Sequence, residues 1–239
     1  MDDTVRGQMM DDTFAVDALA RCPLFANATP EMLISIVGRL RRRKFRRNEV
    51  IFHQGDPGDS LHVVASGAVK ILLPSAEGDE AIIATLRPGD FFGELALLDG
   101  STRSATAASL EQSETLTLPR PVLMDLLGTV PGLGDALLVG LARELRRLTS
   151  QVEELHFLDL AGRLAMRLTR LAQESQTDAS GKISLDWPYT QSDLAAMIGG
   201  TRQSVNRLLA ELVDEGLIEI QPDALVITDL EELARRAER

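Results

Sequence analysis

The sequence predicts an α+β fold: a small antiparallel barrel or jelly roll, then one long helix, then a smaller helical unit with a β-hairpin. Three observations support this prediction. Across residues 45–118, short apolar and β-branched runs alternate with turn residues, as in small barrels. Residues 138–155 repeat leucine or valine every three or four positions. Beyond residue 159, two helical segments flank a glycine-containing turn, and a hairpin pattern follows.

Two short helices are predicted before the barrel, over residues 12–20 and 29–40. Thr29 is a suitable N-cap for the second helix, and Pro30 stands in its first turn, where a missing N–H costs nothing. The barrel strands are expected at residues 50–52, 61–64, 69–72 and 81–83, with turns at residues 55–59, 66–67, 77–79 and 88–90.

A heptad seam is predicted on the long helix, after a short helix at residues 121–129. Its apolar members recur at steps of three and four, and the charged residues lie off the stripe. They are Leu138, Leu141, Leu145, Leu148, Val152 and Leu155. So narrow a stripe favours a two-stranded homodimer, and packing against the chain's own barrel is the alternative.

The C-terminal unit has the sequence form of a winged helix-turn-helix. The predicted elements are helices at 160–173, 191–198 and 202–215, a strand at 182–187, a hairpin of 217–220 with 225–228 around a turn at 221–224, and a charged terminal helix. An apolar stripe along the two central helices is expected to be buried: Leu194, Ala195, Ile198, Val205, Leu208, Leu209 and Leu212.

Composition excludes several classes of protein. The longest run without a charged residue, 60–69, is too short for a membrane helix, and no signal peptide is predicted at the N-terminus. The single cysteine, Cys22, excludes an intrachain disulfide and an all-cysteine zinc or iron–sulfur site, so a cytoplasmic protein is expected. The net charge of −11 still permits DNA binding through a local basic surface. The basic run at 39–47 is interpreted as a solvated helix end entering an edge strand, or as a patch for DNA or an acidic partner.

One constellation, within residues 91–106, suits a nucleotide monophosphate. Gly93 permits a close backbone approach, and the following turn can point free N–H groups at an anion. Arg103 supplies a permanent charge for a phosphate and Ser104 a hydroxyl, while Glu94 suits a ribose hydroxyl. The alternative is a surface turn in which Arg103 pairs with Glu94 or Asp99.

A second constellation lies on the helix-turn-helix. Thr201 is the expected N-cap of the second helix, with Ser204 three residues on. Near the start of that helix, four side chains should point away from the core, where a recognition helix meets base edges: Arg202, Gln203, Asn206 and Arg207. An ordinary helical hairpin with a polar outer face is the alternative.

The segment FGELALLDGSTRSAT resembles the phosphate-binding cassette of cyclic-nucleotide-binding domains, and residues 15–235 resemble the cAMP receptor protein (CRP/FNR) family of bacterial transcription regulators. The resemblance implies a cyclic-nucleotide-binding β-roll at 1–132, a dimerisation helix at 133–158 and a DNA-binding winged helix-turn-helix at 159–239. It assigns Glu94 to the ribose 2′-hydroxyl. The cyclic phosphate is assigned to Arg103, Ser104 and the backbone of Gly93, Glu94, Leu95 and Ala96.

The resemblance further implies a homodimer that binds a palindromic operator and RNA polymerase, responds to cAMP, needs no cofactor and is not an enzyme. Leu148 stands where cAMP-responsive members have the threonine that reaches adenine. Thr149 and Ser150 are therefore the candidate base contacts, and cGMP or a cyclic dinucleotide stays open. An effector-independent regulator, or an effector-binding protein that acts through protein partners, is the alternative function.

Two details concern specificity and metals. Arg202 and Arg207 match the family's base-reading arginines, whereas Gln203 replaces a glutamate, which should change the operator. Haem sensing would need an axial ligand, for which His53, His62 and His156 are candidates in principle. A cupin-type metal site would need two histidines within a few residues and a glutamate, and the sequence has no such cluster.

Overall fold

The computed structural model describes residues 2–173, 182–221 and 224–237. By their internal contacts, the residues form two compact units, one of Met1–Pro74 with Ile83–Leu145 and one of Ser75–Ile82 with Arg146–Arg239. The helices of the first unit are α1 (Asp2–Arg21), α2 (Pro30–Val37), α3 (Glu94–Asp99) and α4 (Arg120–Thr129). The long helix α5 (Leu133–Phe157) passes from one unit into the other.

The barrel strands are β1 (Arg41–Phe45), β2 (Val50–Phe52), β3 (Ser60–Ser66), β4 (Val69–Pro74), β5 (Glu80–Leu86), β6 (Phe91–Phe92), β7 (Thr106–Ser109) and β8 (Ser113–Pro119). They form two sheets with the strand orders β1-β8-β3-β6 and β2-β7-β4-β5. A buried cluster draws on both sheets, so their inner faces pack together: Phe45, Ile51, Val64, Val69, Phe92 and Ala107. The predicted barrel is confirmed, and the basic residues 41–44 lie on its edge strand β1.

Strand β3 is buried on both of its faces. Leu61, Val63 and Ala65 belong to the core that β3 and β8 share with helices α1, α2, α4 and α5. Because side chains alternate along a strand, His62 and Val64 point to the opposite face, into the barrel. This alternation places an ionisable side chain, His62, inside the barrel.

The N-terminal helices differ from the prediction in length. Helix α1 begins at Asp2, ten residues before the predicted start, and α2 ends at Val37, three residues early. The predicted cap is confirmed, since the Thr29 side chain accepts a hydrogen bond from the Met32 N–H at 3.3 Å and Pro30 opens the helix.

The second unit has the predicted arrangement of helices and strands: α6 (Leu160–Gln173), β9 (Ile183–Asp186), α7 (Gln191–Ile198), α8 (Arg202–Asp214), β10 (Ile218–Ile220), β11 (Ala224–Ile227) and α9 (Leu230–Arg236). Its sheet has the order β10-β11-β9. The hairpin pairs Ile218 with Ile227 and Ile220 with Leu225, while Pro222 and Asp223 of its predicted turn lie outside the described residues. All seven residues of the predicted apolar stripe are buried.

Among the described residues, no single helix is long and apolar enough to cross a membrane. Helices α4 and α5 satisfy the length and composition criteria only as a pair, and they are bent by 115° at their junction.

Candidate functional site

Arg103 is buried in the first unit, with only 4% of its surface exposed. Its Nη1 donates to the Gly93 carbonyl at 2.8 Å, and its Nη2 donates to Ser60 Oγ at 3.3 Å. The guanidinium lies over the Phe52 ring, 4.2 Å from the ring centroid. Its Nε is buried without a hydrogen-bond partner. A buried, unpaired donor on a charged group is costly, so this atom is suited to an anionic ligand.

The loop before β3 holds the backbone of Arg103 in place. The Arg103 N–H donates to the Asp56 carbonyl at 2.8 Å, and the Gly55 N–H donates to the Arg103 carbonyl at 2.9 Å. The same loop touches α3 closely, because a Cβ on Gly58 would lie 2.2 Å from the Cβ of Ala96. The loop and the cassette therefore form one rigid arrangement around the guanidinium.

Position 93 requires glycine for two reasons, its backbone conformation and the lack of room for a side chain. Its φ of 82° is in the left-handed region, and an added Cβ would lie 2.5 Å from Arg103 Nη1. The helix that follows, α3, begins with Glu94, and the first N–H groups of a helix have no partner within it. Among the predicted phosphate contacts, the side chain of Ala96 is buried, whereas those of Leu95 and Ser104 are exposed.

Glu94 is half-buried beside this arginine. Burial raises the pKa of its carboxyl, the charge of Glu144 raises it further, and a backbone hydrogen bond and Arg103 oppose the rise. The alternative of a surface turn is wrong, because Arg103 is buried and the carboxylate that lies within 4 Å of it in the described contacts belongs to Asp59.

Four residues that surround Arg103 are not predicted from the sequence: Phe52, Asp59, Ser60 and His62. The sequence predicts residues 55–59 as a turn, and the glycine and aspartate content of that turn is the signal that could have placed it at an anion site. The His62 ring stacks on Phe92, with centroids 5.0 Å apart and planes at 20°. Its Nδ1 lies 3.2 Å from Thr115 Oγ1, and Ser60 Oγ lies 3.5 Å from its Nε2.

This polar chain links His62 to Arg103 through Ser60. Ser60 has one hydroxyl proton and donates it to Asp59 Oδ1 at 2.8 Å, so its oxygen accepts from its other neighbours. Burial lowers the pKa of His62 to about 3, and the charges of Arg103 and Arg43 contribute to the decrease. The imidazole is therefore neutral at physiological pH, and Arg103 is the cation of the site.

Helix α5 presents two different faces. Leu133 and Leu137 are buried in the first unit, and a Cβ on Gly140 would lie 2.8 Å from the Phe91 ring, so this face packs against the barrel. The seam residues are largely uncovered: Leu138, Leu145, Val152 and Leu155 are 54–67% exposed. The contact with the barrel thus uses a face other than the predicted heptad seam.

Thr149 and Ser150, the predicted base contacts, also lie on α5. The Thr149 side chain is exposed and that of Ser150 is half-buried. Both residues belong to the second unit, and their contact with a base stays a prediction.

The predicted recognition helix is α8. The Thr201 side chain accepts from the Ser204 N–H at 3.1 Å, which confirms the predicted N-cap. Arg202, Gln203, Asn206 and Arg207 are all exposed, as expected for a DNA-contacting surface. Arg207 has only a loose pair with Glu211, at 3.8 Å, and Arg202 Nε donates to Gln191 Oε1 at 3.4 Å. These contacts leave both guanidinium groups accessible to DNA.

Two further contacts orient the helix-turn-helix. Thr190 and Asp193 form a capping box at the start of α7. Arg163, at the start of α6, donates from Nη1 to the Ile198 carbonyl at 2.9 Å and from Nε to the Leu158 carbonyl at 3.1 Å. Arg163 therefore joins the segment after α5 to the end of α7.

Across the described residues, His, Cys, Asp and Glu form no group of three or more that could hold a metal ion.

A barrel that holds a buried arginine with an unpaired Nε, together with a helix-turn-helix whose second helix exposes Arg202 and Arg207, is typical of a ligand-binding transcription regulator. Comparison with known families agrees. Residues 42–129 match the cyclic nucleotide-binding domain, and residues 162–236 match the Crp-like helix-turn-helix domain.

Relatives match over nearly the whole chain. The CRP-like cAMP-activated global transcriptional regulator of Mycobacterium tuberculosis is 33% identical over 92% of this chain and 99% of its own. The cyclic AMP receptor protein of Thermus thermophilus is 33% identical over 89% of this chain and 96% of its own. The structure of the c-di-GMP responsive global regulator CLP of Xanthomonas campestris aligns with a TM-score of 0.70 at 25% identity, covering 81% of this chain and 96% of that one.

The chain belongs to the CRP/FNR family of transcription regulators. It has the cyclic-nucleotide-binding domain and the helix-turn-helix DNA-binding domain of that family, and it is not an enzyme.

We predict that His62→Phe will flatten the pH dependence of stability. The folded pKa of about 3 lies below the value of about 6.5 for an unfolded histidine, so the unfolded chain binds more protons between these values. The stability associated with the neutral imidazole is complete above about pH 6.5 and is lost as the pH falls toward 3. Below pH 6, the slope of unfolding free energy against pH should decrease by up to about 1.4 kcal/mol per unit.

The measurement is denaturant unfolding between pH 4 and pH 8. Phenylalanine preserves the stacking surface on Phe92, and the same replacement at the exposed His53 is the matched control. Equal slopes for wild type and His62→Phe would show that His62 is not buried as a neutral group.

Proposed function

We propose that the protein is a homodimeric regulator that binds cAMP in the barrel and then binds a palindromic DNA operator. The observation that carries the effector proposal is the buried Arg103 guanidinium, whose Nε has no partner. A phosphate oxygen at this position would complete the hydrogen bonding of a charge that is already removed from water.

Separate residues are proposed to contact the phosphate, the ribose and the base of the cyclic nucleotide. Arg103, Ser104 and the backbone from Gly93 to Ala96 take the cyclic phosphate. Glu94 accepts a hydrogen bond from the ribose 2′-hydroxyl, which replaces the water lost by this half-buried carboxyl. Thr149 and Ser150 are the proposed base contacts.

Support for cAMP comes from relatives of 33% identity that are named as cAMP-activated or as a cyclic AMP receptor. The alternative of a cyclic dinucleotide is favoured by one observation, the alignment with a regulator described as c-di-GMP responsive. Leu148 removes the usual threonine from the base-binding position, so cGMP is also compared in the test below.

The homodimer proposal depends on the exposed seam of α5. Leu138 and Leu145 lie one heptad apart at 66% and 67% exposure, and Val152 follows seven residues later at 54%. An apolar stripe of this length is costly in water, and a second copy of the same helix covers it with matching side chains.

In the proposed mechanism, effector binding changes the position of α5 in the dimer. Arg163 joins the Leu158 and Ile198 carbonyls, so a movement at the Asp159 hinge would be passed to the helix-turn-helix. The two α8 helices would then fit successive major grooves one DNA turn apart, with RNA polymerase as the proposed further partner.

Arg103→Ala should abolish binding of the cyclic nucleotide while the fold remains. Losing a charged hydrogen-bond partner inside a site costs about 2–5 kcal/mol, which is at least about 30-fold in affinity. Titration calorimetry with cAMP, cGMP and c-di-GMP measures the effect and identifies the effector. Arg103→Lys is the companion variant, because it keeps the charge but removes the planar fork.

Unfolding curves of both variants establish that they are folded before binding is compared. An unchanged dissociation constant in folded Arg103→Ala would contradict the cassette assignment, and a wild-type chain that binds none of the three nucleotides would contradict the effector proposal.

Leu145→Asp should convert the dimer into a monomer. The side chain is exposed in the single chain, so the substitution leaves the protomer core intact. Across a two-fold axis it would place two carboxylates against each other in apolar surroundings. Light scattering measures the mass, with the exposed off-seam substitution Arg143→Asp as control. A dimeric Leu145→Asp protein would show that the seam is not the interface.

Gln203 should shift operator choice relative to glutamate. Glutamate accepts from cytosine N4, whereas glutamine offers a donor and an acceptor that match adenine N6 and N7. The operator should keep guanine opposite Arg202 and Arg207, with A·T favoured at the Gln203 position by roughly 1–3 kcal/mol per half-site. Gln203→Glu should restore C·G there without changing effector affinity.

Selection from a random DNA pool, at fixed salt and saturating nucleotide, gives the consensus of each protein. If the two consensus sequences are the same, Gln203 does not read a base. Failure to select any DNA would instead favour a protein that acts through protein partners.

A further inference from the structure

Several acidic side chains lie near Arg103. Asp59, Glu94 and Asp56 all interact electrostatically with this guanidinium. Glu144 adds a further negative charge that acts on Glu94. A ligand phosphate therefore enters a site in which one arginine already faces several carboxylates.

Among the described contacts, Asp59 pairs with no basic side chain other than Arg103. His62 is buried and neutral, because burial together with the charges of Arg103 and Arg43 lowers its pKa to about 3. Arg120 contacts Asp59 through its backbone N–H, which donates to the Asp59 carbonyl at 2.8 Å, but its side-chain Nε donates to the Leu97 carbonyl at 3.1 Å.

Asp59 is the carboxylate in direct range of the phosphate position. Its Oδ1 lies 3.8 Å from Arg103 Nη2, and the same Oδ1 accepts the Ser60 hydroxyl at 2.8 Å, which holds it there. A phosphate oxygen bonded to Nη2 at about 2.8 Å would lie no more than about 7 Å from Asp59 Oδ1. This distance is within the Debye length of about 8 Å at physiological salt.

The geometry points to Asp59 as a specificity residue that makes the site select a phosphodiester with one negative charge and reject a phosphomonoester with two. The inference rests on the proposed function, since it concerns the ligand held by Arg103. A cyclic nucleotide has a single phosphate charge, which Arg103 balances. A linear nucleotide brings a second negative charge, which the Asp59 carboxylate repels.

The test measures the dissociation constants of cAMP and 5′-AMP for the full-length wild-type protein and for Asp59→Asn. Asparagine keeps the acceptor for Ser60 and removes the charge. In the variant, the ratio of the dissociation constant of 5′-AMP to that of cAMP should decrease by about 3- to 10-fold. This range of about 3- to 10-fold is what one charge pair at this distance near the surface contributes. Each ligand is compared between the two proteins, so the effect of nucleotide shape on affinity is the same in both measurements and cancels.

Asp125→Asn is the matched control, because it removes one carboxylate charge from α4, where Asp125 pairs with Arg39. It should leave the ratio of the two dissociation constants unchanged. The difference produced by Asp59→Asn should decrease at 0.5 M salt, because the Asp59 carboxylate is exposed and its field is screened there.

A second measurement uses the wild-type protein alone. A phosphomonoester loses its second charge near pH 6, whereas the diester keeps one charge throughout. Lowering the pH from 7.5 to 5.5 should therefore improve 5′-AMP binding relative to cAMP, and Asp59→Asn should reduce this improvement. Only the part of the improvement that Asp59→Asn removes is assigned to Asp59, because titration of Glu94 also acts on the second charge.

The outcomes separate the two proposals. If the wild type binds cAMP but Asp59→Asn leaves the ratio and its pH dependence unchanged, the role of Asp59 is wrong and the proposed function stands. If the wild type binds neither nucleotide, both are wrong. A ratio that changes equally in Asp125→Asn would also overturn the assignment, because it would reflect net charge alone.

Discussion

The effector domain depends on keeping one guanidinium charged inside a barrel. Moving a charge out of water is expensive, and the Gly93 carbonyl, the Ser60 hydroxyl and the Phe52 ring each offset part of that cost. The offset is incomplete, since Nε remains without a partner. The proposed phosphate would supply the interaction that this nitrogen lacks.

The same requirement explains the backbone around the site. Gly93 must be a glycine, because any Cβ would meet the guanidinium and its φ is left-handed. Gly58 must be small for a similar reason, since the loop that carries Asp56 and Asp59 rests directly on Ala96. The proposed phosphate site thus depends on close packing as well as on charge.

Helix α5 has one face that packs against the barrel and another that is exposed. Its buried face at Leu133, Leu137 and Gly140 belongs to the barrel, and its exposed seam is available to a second copy of the chain. Toward its C-terminal end, Arg163 connects the segment after the helix with the end of α7. In the proposed dimer, α5 would contact the barrel on one face and the second copy on another, and it could therefore couple ligand binding to DNA binding.

The sequence by itself determined the element types, the apolar stripe of the helix-turn-helix and the caps at Thr29 and Thr201, because these follow from local periodicity and turn chemistry. It also singled out Arg103 and Glu94 as candidate ligand contacts, and their role remains a prediction. Only the tertiary structure decided which groups meet Arg103. Ser60 lies 43 residues away in the chain, and it reaches the guanidinium through the packing of β3 in the barrel. The sequence does not predict the burial of His62 either, since this burial depends on which face of β3 points into the barrel. Contacts of this kind depend on strand register and on which charged groups are buried on folding, and residue spacing alone predicts neither.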